Sequence, residues 1–195
     1  DMDRSIVHPS VLECYDIALE TLAAIGADLK PFPFPRSIDE MRLGVATIIG
    51  VEGYHYHGHL YENLANKMDE DVKKRIMTGK TEPLNKYVGL MRERLKDRAA
   101  FLSAMDGLSG VLTPTVPSVA PILSDIDQDS APSQFTRMIN HLGFCALATP
   151  MGVAEGSLPV SLHVVGRGGQ EATVLRIGAA YAEADGRTMR PIGWD

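Results

Sequence analysis

A histidine and a cysteine lie four residues apart in this chain, and such a pair can perform nucleophilic catalysis. Cys145 would act as a nucleophile only if a neighbouring base converted its thiol to a thiolate, and His141 is the nearby base. His141 lies on a predicted helix, however, and Gly143 separates that helix from Cys145. We therefore interpret Cys145 as a residue of the hydrophobic core.

Histidines at alternate positions raise the second possibility, a metal site. On a helix His55 and His59 share one face, as metal-binding pairs do. The helix of a zinc hydrolase carries glutamate at the second position of such a pair, whereas this chain has Tyr56 there, and no third ligand suggests itself. We predict no metal at this position and interpret the histidines as packing or surface residues.

A polar face is predicted on a short helix from about residue 133 to residue 142. Thr136 and Asn140 are four residues apart and therefore lie on the same face of that helix. They either line a pocket or satisfy buried backbone groups, and both interpretations stay open. The preceding residues up to Pro132 are rich in proline, serine and aspartate without periodicity, so we assign them to the rim of a pocket.

Alternating helices and strands must position these side chains. Apolar spacing and glycine and proline breaks predict the elements. The predicted helices cover residues 9–25, 37–68, 84–105, 133–142 and 170–184, and the predicted strands cover residues 27–32, 111–113, 146–149 and 160–165. Ser37 and Glu40 form a capping-box pattern at the start of the second helix. The basic residues of the 84–105 helix are predicted to face solvent.

Composition restricts the class of protein. The chain has 195 residues, of which 45% are hydrophobic and 23% charged, and we expect residues 1–195 to form a single unit with one core. Its net charge of -6 argues against binding to nucleic acid or to an anionic membrane. Two cysteines are too few for a disulfide framework, and no apolar run is long enough to span a membrane, so we expect a cytoplasmic protein.

Several motifs in one order carry a resemblance to a known family. The motifs are Asp71-Val72-Lys73-Lys74-Arg75-Ile76-Met77-Thr78-Gly79, Leu112-Thr113-Pro114-Thr115-Val116-Pro117, Thr136-Arg137 with Asn140 and Gly143, Thr149-Pro150-Met151-Gly152, and Leu158-Pro159-Val160 followed by Val164-Val165-Gly166 and Glu171. In this order and at these spacings the chain resembles the C-terminal part of the amidase signature family. The resemblance covers nearly the whole chain, and it implies an α/β fold in which helices cover a mixed β-sheet.

The resemblance also implies a chemistry whose central residues are missing here. Enzymes of this family hydrolyse the C–N bond of a carboxamide through an acyl-serine intermediate, using a Ser-cisSer-Lys triad in their N-terminal half. The serines near glycine in this chain, among them Ser103, Ser109 and Ser157, are isolated, and no lysine lies in a Gly/Ser-rich segment. We therefore expect a C-terminal portion of a longer amidase, with no catalytic residue of its own, no cofactor and no activity alone.

Four residues are candidates for a substrate pocket or for its support. The resemblance places the face of Thr136 and Asn140 near the active centre, and Pro117 ends the motif that leads into the pocket loop. Arg75 either forms a buried ion pair, which we favour, or faces the substrate channel. The expected partners are a small-molecule amide and the N-terminal half of the same protein, and we also consider a homodimer.

Two other functions are retained as alternatives. The amidase-like component of a tRNA-dependent amidotransferase shares the implied fold, but it typically has a tyrosine-rich block after the helix of Arg75 and an acidic residue three positions before the helix threonine. This chain has Leu84-Asn85-Lys86-Tyr87 and Ser133 at those places, which favours a small-molecule amidase. The other alternative is a noncatalytic binding or scaffold domain.

Overall fold

The computed structural model describes residues 2–63, 67–126, 132–155 and 158–187. Within these ranges four helices precede the first strand, a fifth helix precedes the two longer strands, and a sixth helix follows them. The helices are α1 (Pro9–Ala24), α2 (Ile38–Glu62), α3 (Glu70–Met77), α4 (Leu84–Ala104), α5 (Gln134–Leu142) and α6 (Glu171–Asp185), and the strands are β1 (Val111–Pro114), β2 (Cys145–Ala154) and β3 (Leu158–Gly166). None of the described helices is both long and apolar enough to cross a bilayer.

The three strands form one sheet in the order β1-β3-β2, with the longest-range pairing between β1 and β3. Val111 pairs with Val165, and Leu147 pairs with Val164, and both pairings are antiparallel. The α/β class is therefore confirmed. The described strands contain no parallel pair, so this part of the sheet is antiparallel where a mixed sheet was expected.

Helices cover both faces of the sheet and produce two hydrophobic clusters. On one face, α1 and α6 bury Val11 and Tyr181 against Leu162 and Val164. On the other face, α4 and α5 bury Phe101 and Met138, among others, against Val111 and Val165. The central strand β3 alternates its side chains between these clusters, as the period of a β-strand requires.

The first helix and the segment after it show what the sequence predicted correctly and what it did not. The predicted helix 9–25 is α1, which begins at Pro9 and gives way to Gly26 at a φ of 93°. The predicted strand over residues 27–32 is wrong, because these residues form no strand. Phe32 instead packs edge-on against Phe34, with 5.2 Å between the ring centroids. Pro31 and Pro33, on either side of Phe32, lack the N–H donors that a strand needs.

Glycines determine how α2 meets the turn that follows α3. The helix was expected to extend to about Met68 but ends at Glu62, and Ser37 at its start makes no side-chain capping bond. A Cβ on Gly79 would overlap the backbone of Gly50, so the two backbones touch without side chains between them. This contact holds the short 3-10 turn Thr78–Lys80, and α3 with it, directly on α2.

Helix α4 forms as predicted, but its buried face differs from the expected one. The apolar spacing that predicts this helix places Leu95 in the core, but Leu95 is 69% exposed, whereas Phe101 is buried. Asp97, which lies in the run predicted to be solvated, is only 6% exposed. A carboxylate is buried in this way only when it has charged or hydrogen-bonded partners, and α5 and the start of α2 provide them, as described below.

Candidate functional site

Polar side chains lie side by side at one end of the sheet. Thr113 on β1 pairs with His163 on β3, and both are almost completely buried. Thr113 Oγ1 lies 3.4 Å from His163 Nδ1. Burial lowers the pKa of His163 to about 4, so the imidazole is neutral at neutral pH.

Two hydroxyl groups continue this arrangement by one pleat. Ser161 Oγ donates to Thr115 Oγ1 at 2.8 Å, and Thr115 Oγ1 donates in turn to the Ser161 carbonyl at 3.1 Å. Because residues two apart on a strand share a face, Thr113, Thr115, Ser161 and His163 form one row, which we call the sheet-end polar row. Its members are neutral donors and acceptors, so they can orient a polar group but do not make a charged nucleophile–base pair.

The sequence contained a signal for the sheet-end polar row that our interpretation missed. Thr113 ends one predicted strand and Thr115 follows two residues later, and Ser161 and His163 alternate on another predicted strand. Polar side chains therefore recur with a period of two in both segments. The two segments are about fifty residues apart, as the Thr113–His163 separation of 50 indicates, and only the pairing of β1 with β3 brings them together.

The two candidates on α5 have different surroundings. Thr136 is half-buried, and its Oγ1 donates to the Ser133 carbonyl at 3.3 Å, which satisfies a backbone group of the first turn. Asn140 is exposed. Of this pair, Asn140 presents its side chain outward from the described part of the chain, whereas Thr136 fits the backbone-supporting interpretation.

Charged side chains fix the C-terminal end of α5. Arg94 on α4 donates from Nε to the His141 carbonyl at 2.5 Å and from Nη2 to the Asn140 carbonyl at 3.4 Å. His141 Nε2 lies 2.7 Å from Asp97 Oδ2. Arg36 Nη1 donates to both oxygens of Asp97, at 2.9 and 3.1 Å. We call Arg36, Arg94, Asp97 and His141 the α5 clamp.

Arg75 lies in an electropositive region where α2, α3 and α5 meet. It is half-exposed, and its Nε donates to the Asp71 carbonyl at 3.3 Å. Burial, together with the charges of Arg42 and Arg75, lowers the pKa of Arg137. Among the described residues Arg75 forms no ion pair, and its assignment to a buried pair or to the substrate channel stays a prediction.

Pro117 is buried and serves as an anchor for the start of α1. Its carbonyl accepts a hydrogen bond from the His8 backbone N–H at 2.8 Å. The loop that follows carries Leu123, which is 85% exposed. Residues 127–131 of the predicted rim, including Asp127 and Asp129, lie outside the described residues.

The cysteines and the α2 histidines form no reactive centre within the described ranges. Cys145 packs at the edge of one hydrophobic cluster, and its thiol donates to the Arg167 carbonyl at 3.1 Å. Burial raises the pKa of the Cys14 thiol, which makes a thiolate less accessible. No group of three or more potential metal ligands is found among the residues that the structure describes.

Comparisons with known proteins identify the relatives of this arrangement. A family model described as Amidase matches residues 1–175. The chain is 27% identical to a glutamyl-tRNA(Gln) amidotransferase subunit of Geobacter metallireducens over 205 aligned positions, which cover 90% of this chain and 42% of that protein. It is 28% identical to 2-amino-5-chloromuconic acid deaminase of Comamonas testosteroni, covering 88% of this chain and 39% of that protein.

Solved structures share the fold. A crystal structure of an amidase superposes with a TM-score of 0.81 at 23% identity, covering 92% of this chain and 42% of the other. The structure of 6-aminohexanoate cyclic dimer hydrolase complexed with substrate superposes with a TM-score of 0.77 at 15% identity, covering 93% of this chain and 43% of the other. The chain thus spans about two-fifths of the length of these proteins.

Proposed function

Because this chain belongs to the amidase signature family, we propose that it is the C-terminal part of an amidase and supplies the sheet strands and substrate-pocket wall of its active centre. The observation that carries the proposal is the family match over residues 1–175. It is joined by the fact that the chain spans about two-fifths of the length of its relatives. Residues 1–195 then act as one unit that completes the fold of the N-terminal half.

The proposed reaction is hydrolysis of a carboxamide through an acyl-enzyme. A serine of the N-terminal half adds to the carboxamide carbon, the C–N bond breaks, and the amine leaves with the proton that the lysine and the second serine relay. Water then attacks the acyl ester, which releases the carboxylic acid and restores the serine. Backbone donors stabilise the oxyanion in both steps. This chain contributes none of those groups.

Within this mechanism the chain's own residues hold and orient the substrate. The exposed Asn140 is a polar contact on the pocket wall, and Thr136 and the buried Pro117 support that wall from behind. Arg75 faces the substrate channel, where it favours substrates with an electron-rich or anionic end. The substrate is a small-molecule amide, and the protein is placed in the cytoplasm, where its free cysteines stay reduced.

The test compares two chains that differ by the N-terminal half. The longer protein, expressed with the segment that precedes Asp1, is predicted to release amine from a panel of alkyl and aryl amides. The 195-residue chain is predicted to show no release above buffer. Turnover of the same amides by the 195-residue chain would overturn the proposal.

A second candidate function is favoured by the names of several relatives. A glutamyl-tRNA(Gln) amidotransferase subunit of Granulibacter bethesdensis is 32% identical over 143 aligned positions, covering 68% of this chain, so a role in such an amidotransferase is the alternative that the comparisons suggest. Ser133, at a place where that subclass typically has an acidic residue, favours the small-molecule amidase instead. Co-purification of the longer protein with partner subunits would reverse this ranking. A noncatalytic scaffold would show neither activity nor amide binding.

A further inference from the structure

The α5 clamp contains a buried carboxylate, that of Asp97. Asp97 is 6% exposed and His141 is 4% exposed. Two helices and a loop meet at this carboxylate, because Arg36 precedes α2, Asp97 belongs to α4 and His141 belongs to α5. Burying a carboxylate is unfavourable unless every partner is present, so packing alone does not account for this arrangement.

Hydrogen bonding determines which ring nitrogen of His141 carries the proton that Asp97 accepts. An ionised Asp97 can only accept hydrogen bonds, so the bond of 2.7 Å from His141 requires the proton on Nε2. Arg36 donates two further hydrogen bonds to Asp97. Nε2 of His141 is therefore the donor, and its Nδ1 has no hydrogen-bond partner among the described residues.

Helix α5 depends on such a contact because it is short. It has nine residues, and helices of this length have little stability of their own in water. Its apolar side chains, Phe135 and Met138 among them, enter both hydrophobic clusters, but hydrophobic contacts have no directional preference. The bonds from His141 to Asp97 and from Arg94 to the last turn are directional, so they determine the rotation and the axial position of α5.

From this geometry we infer that Asp97 is a positioning residue for the pocket wall: through His141 and Arg36 it fixes the orientation of α5, and with it the placement of Asn140. Asp97 does not itself touch the substrate. The last step, from the position of α5 to amide turnover, depends on the proposed function, whereas the clamp itself does not.

The first measurement uses the unaltered 195-residue chain. Nitrogen-15 spectra of the imidazole groups distinguish the two neutral tautomers of a histidine. We expect His141 to carry a proton on Nε2. The opposite tautomer would overturn the inference, because Nε2 would then be an acceptor facing an acceptor.

The second measurement compares variants by hydrogen exchange of α5, with α1 as the internal reference because it packs on the opposite face of the sheet. The glutamine of His141→Gln can place a donor near the position of Nε2, whereas the shorter asparagine of His141→Asn cannot. We expect exchange in α5 to accelerate about tenfold in His141→Asn and in Asp97→Asn, as the loss of a charge-assisted hydrogen bond predicts, and to stay near the wild-type rate in His141→Gln. The control is Asp106→Asn, at an exposed residue in the turn after α4, and it should leave the exchange rates of α5 unchanged.

Equal acceleration of exchange in α1 and α5, or no acceleration in His141→Asn, would overturn the clamp.

The third measurement tests the role of the clamp in the longer protein. There Asp97→Asn should lower kcat/KM about tenfold, and His141→Gln should restore most of the activity that His141→Asn loses. An unchanged kcat/KM in Asp97→Asn would overturn the positioning role. If the wild-type longer protein turns over no amide, the proposed function and the positioning role fail together. The hydrogen exchange of α5 and the tautomer of His141 still test the clamp itself.

Discussion

At the scale of single residues, the most unusual environment is that of a histidine inside the sheet. His163 is 4% exposed, and its side chain contacts that of Thr113 on the neighbouring strand. Burial makes the charged form unfavourable, and the pKa falls from 6.5 to about 4. This residue therefore gives the fold a pH dependence that a surface histidine would not have.

We predict that His163 makes the folded chain less stable in mild acid. The unfolded state binds a proton near pH 6.5 and the folded state only near pH 4, so the stabilisation is complete above pH 6.5 and is lost as the pH falls towards 4. The loss is about 3 kcal/mol at most. Urea unfolding between pH 4 and pH 8 measures it, with His163→Gln as the comparison. The gap between the two pH profiles should be constant above pH 7 and change below it, and parallel profiles throughout would contradict the pKa.

At the scale of elements, α4 shows that a helix can be predicted correctly while its buried face is predicted wrongly. Apolar residues occur on more than one side of α4, so the spacing alone assigned Leu95 to the core and left Phe101 out. The choice between the sides depends on Asp97, whose burial requires His141, 44 positions away in sequence. Such a partner cannot be read from a local pattern, whereas the end of α1 at Gly26 can, because its signal is contained in the helix itself.

The buried face of α4 can be tested by truncation. Phe101→Ala should lower the free energy of unfolding by about 3 to 5 kcal/mol, because a large buried side chain is replaced by a cavity. Leu95→Ala, at a site that is 69% exposed, should change it by less than about 0.5 kcal/mol. Denaturant unfolding of the 195-residue chain measures both. A larger effect for Leu95→Ala than for Phe101→Ala would restore the face that the sequence suggested.

The glycine contact between α2 and the turn after α3 gives a second prediction for the elements. In Gly79→Ala the new Cβ would overlap the Gly50 backbone, which has no flexible side chain that could move away. We expect a loss of about 1 to 3 kcal/mol in stability, typical of overpacking. Gly89→Ala in α4 is the matched control, because nothing lies within 4 Å of the new Cβ. The control should gain up to about 1 kcal/mol from helix propensity, and a similar gain in Gly79→Ala would show that the backbones do not touch.

At the scale of the whole molecule, local patterns predicted most helices and the two long strands, and the resemblance predicted the α/β class. The sheet-end polar row and the α5 clamp were not predicted, because each joins residues brought together by tertiary pairing. The predicted strand from Ala27 to Phe32 is absent for a different reason: Pro31 within it and Pro33 just after it permit an extended backbone but lack the N–H donors of a hydrogen-bonded strand. Thr136 and Asn140 could be grouped as candidates from the sequence because they lie on one helix with regular spacing.

The central claim is that this chain forms part of the pocket of an amidase without containing its nucleophile. The most direct test is labelling with a serine-directed phosphonate, followed by mass spectrometry of the peptides. We predict that the 195-residue chain takes up no label at any single site, and that the longer protein is labelled once, at a serine before Asp1. Stoichiometric labelling of one serine within the 195-residue chain would contradict the account.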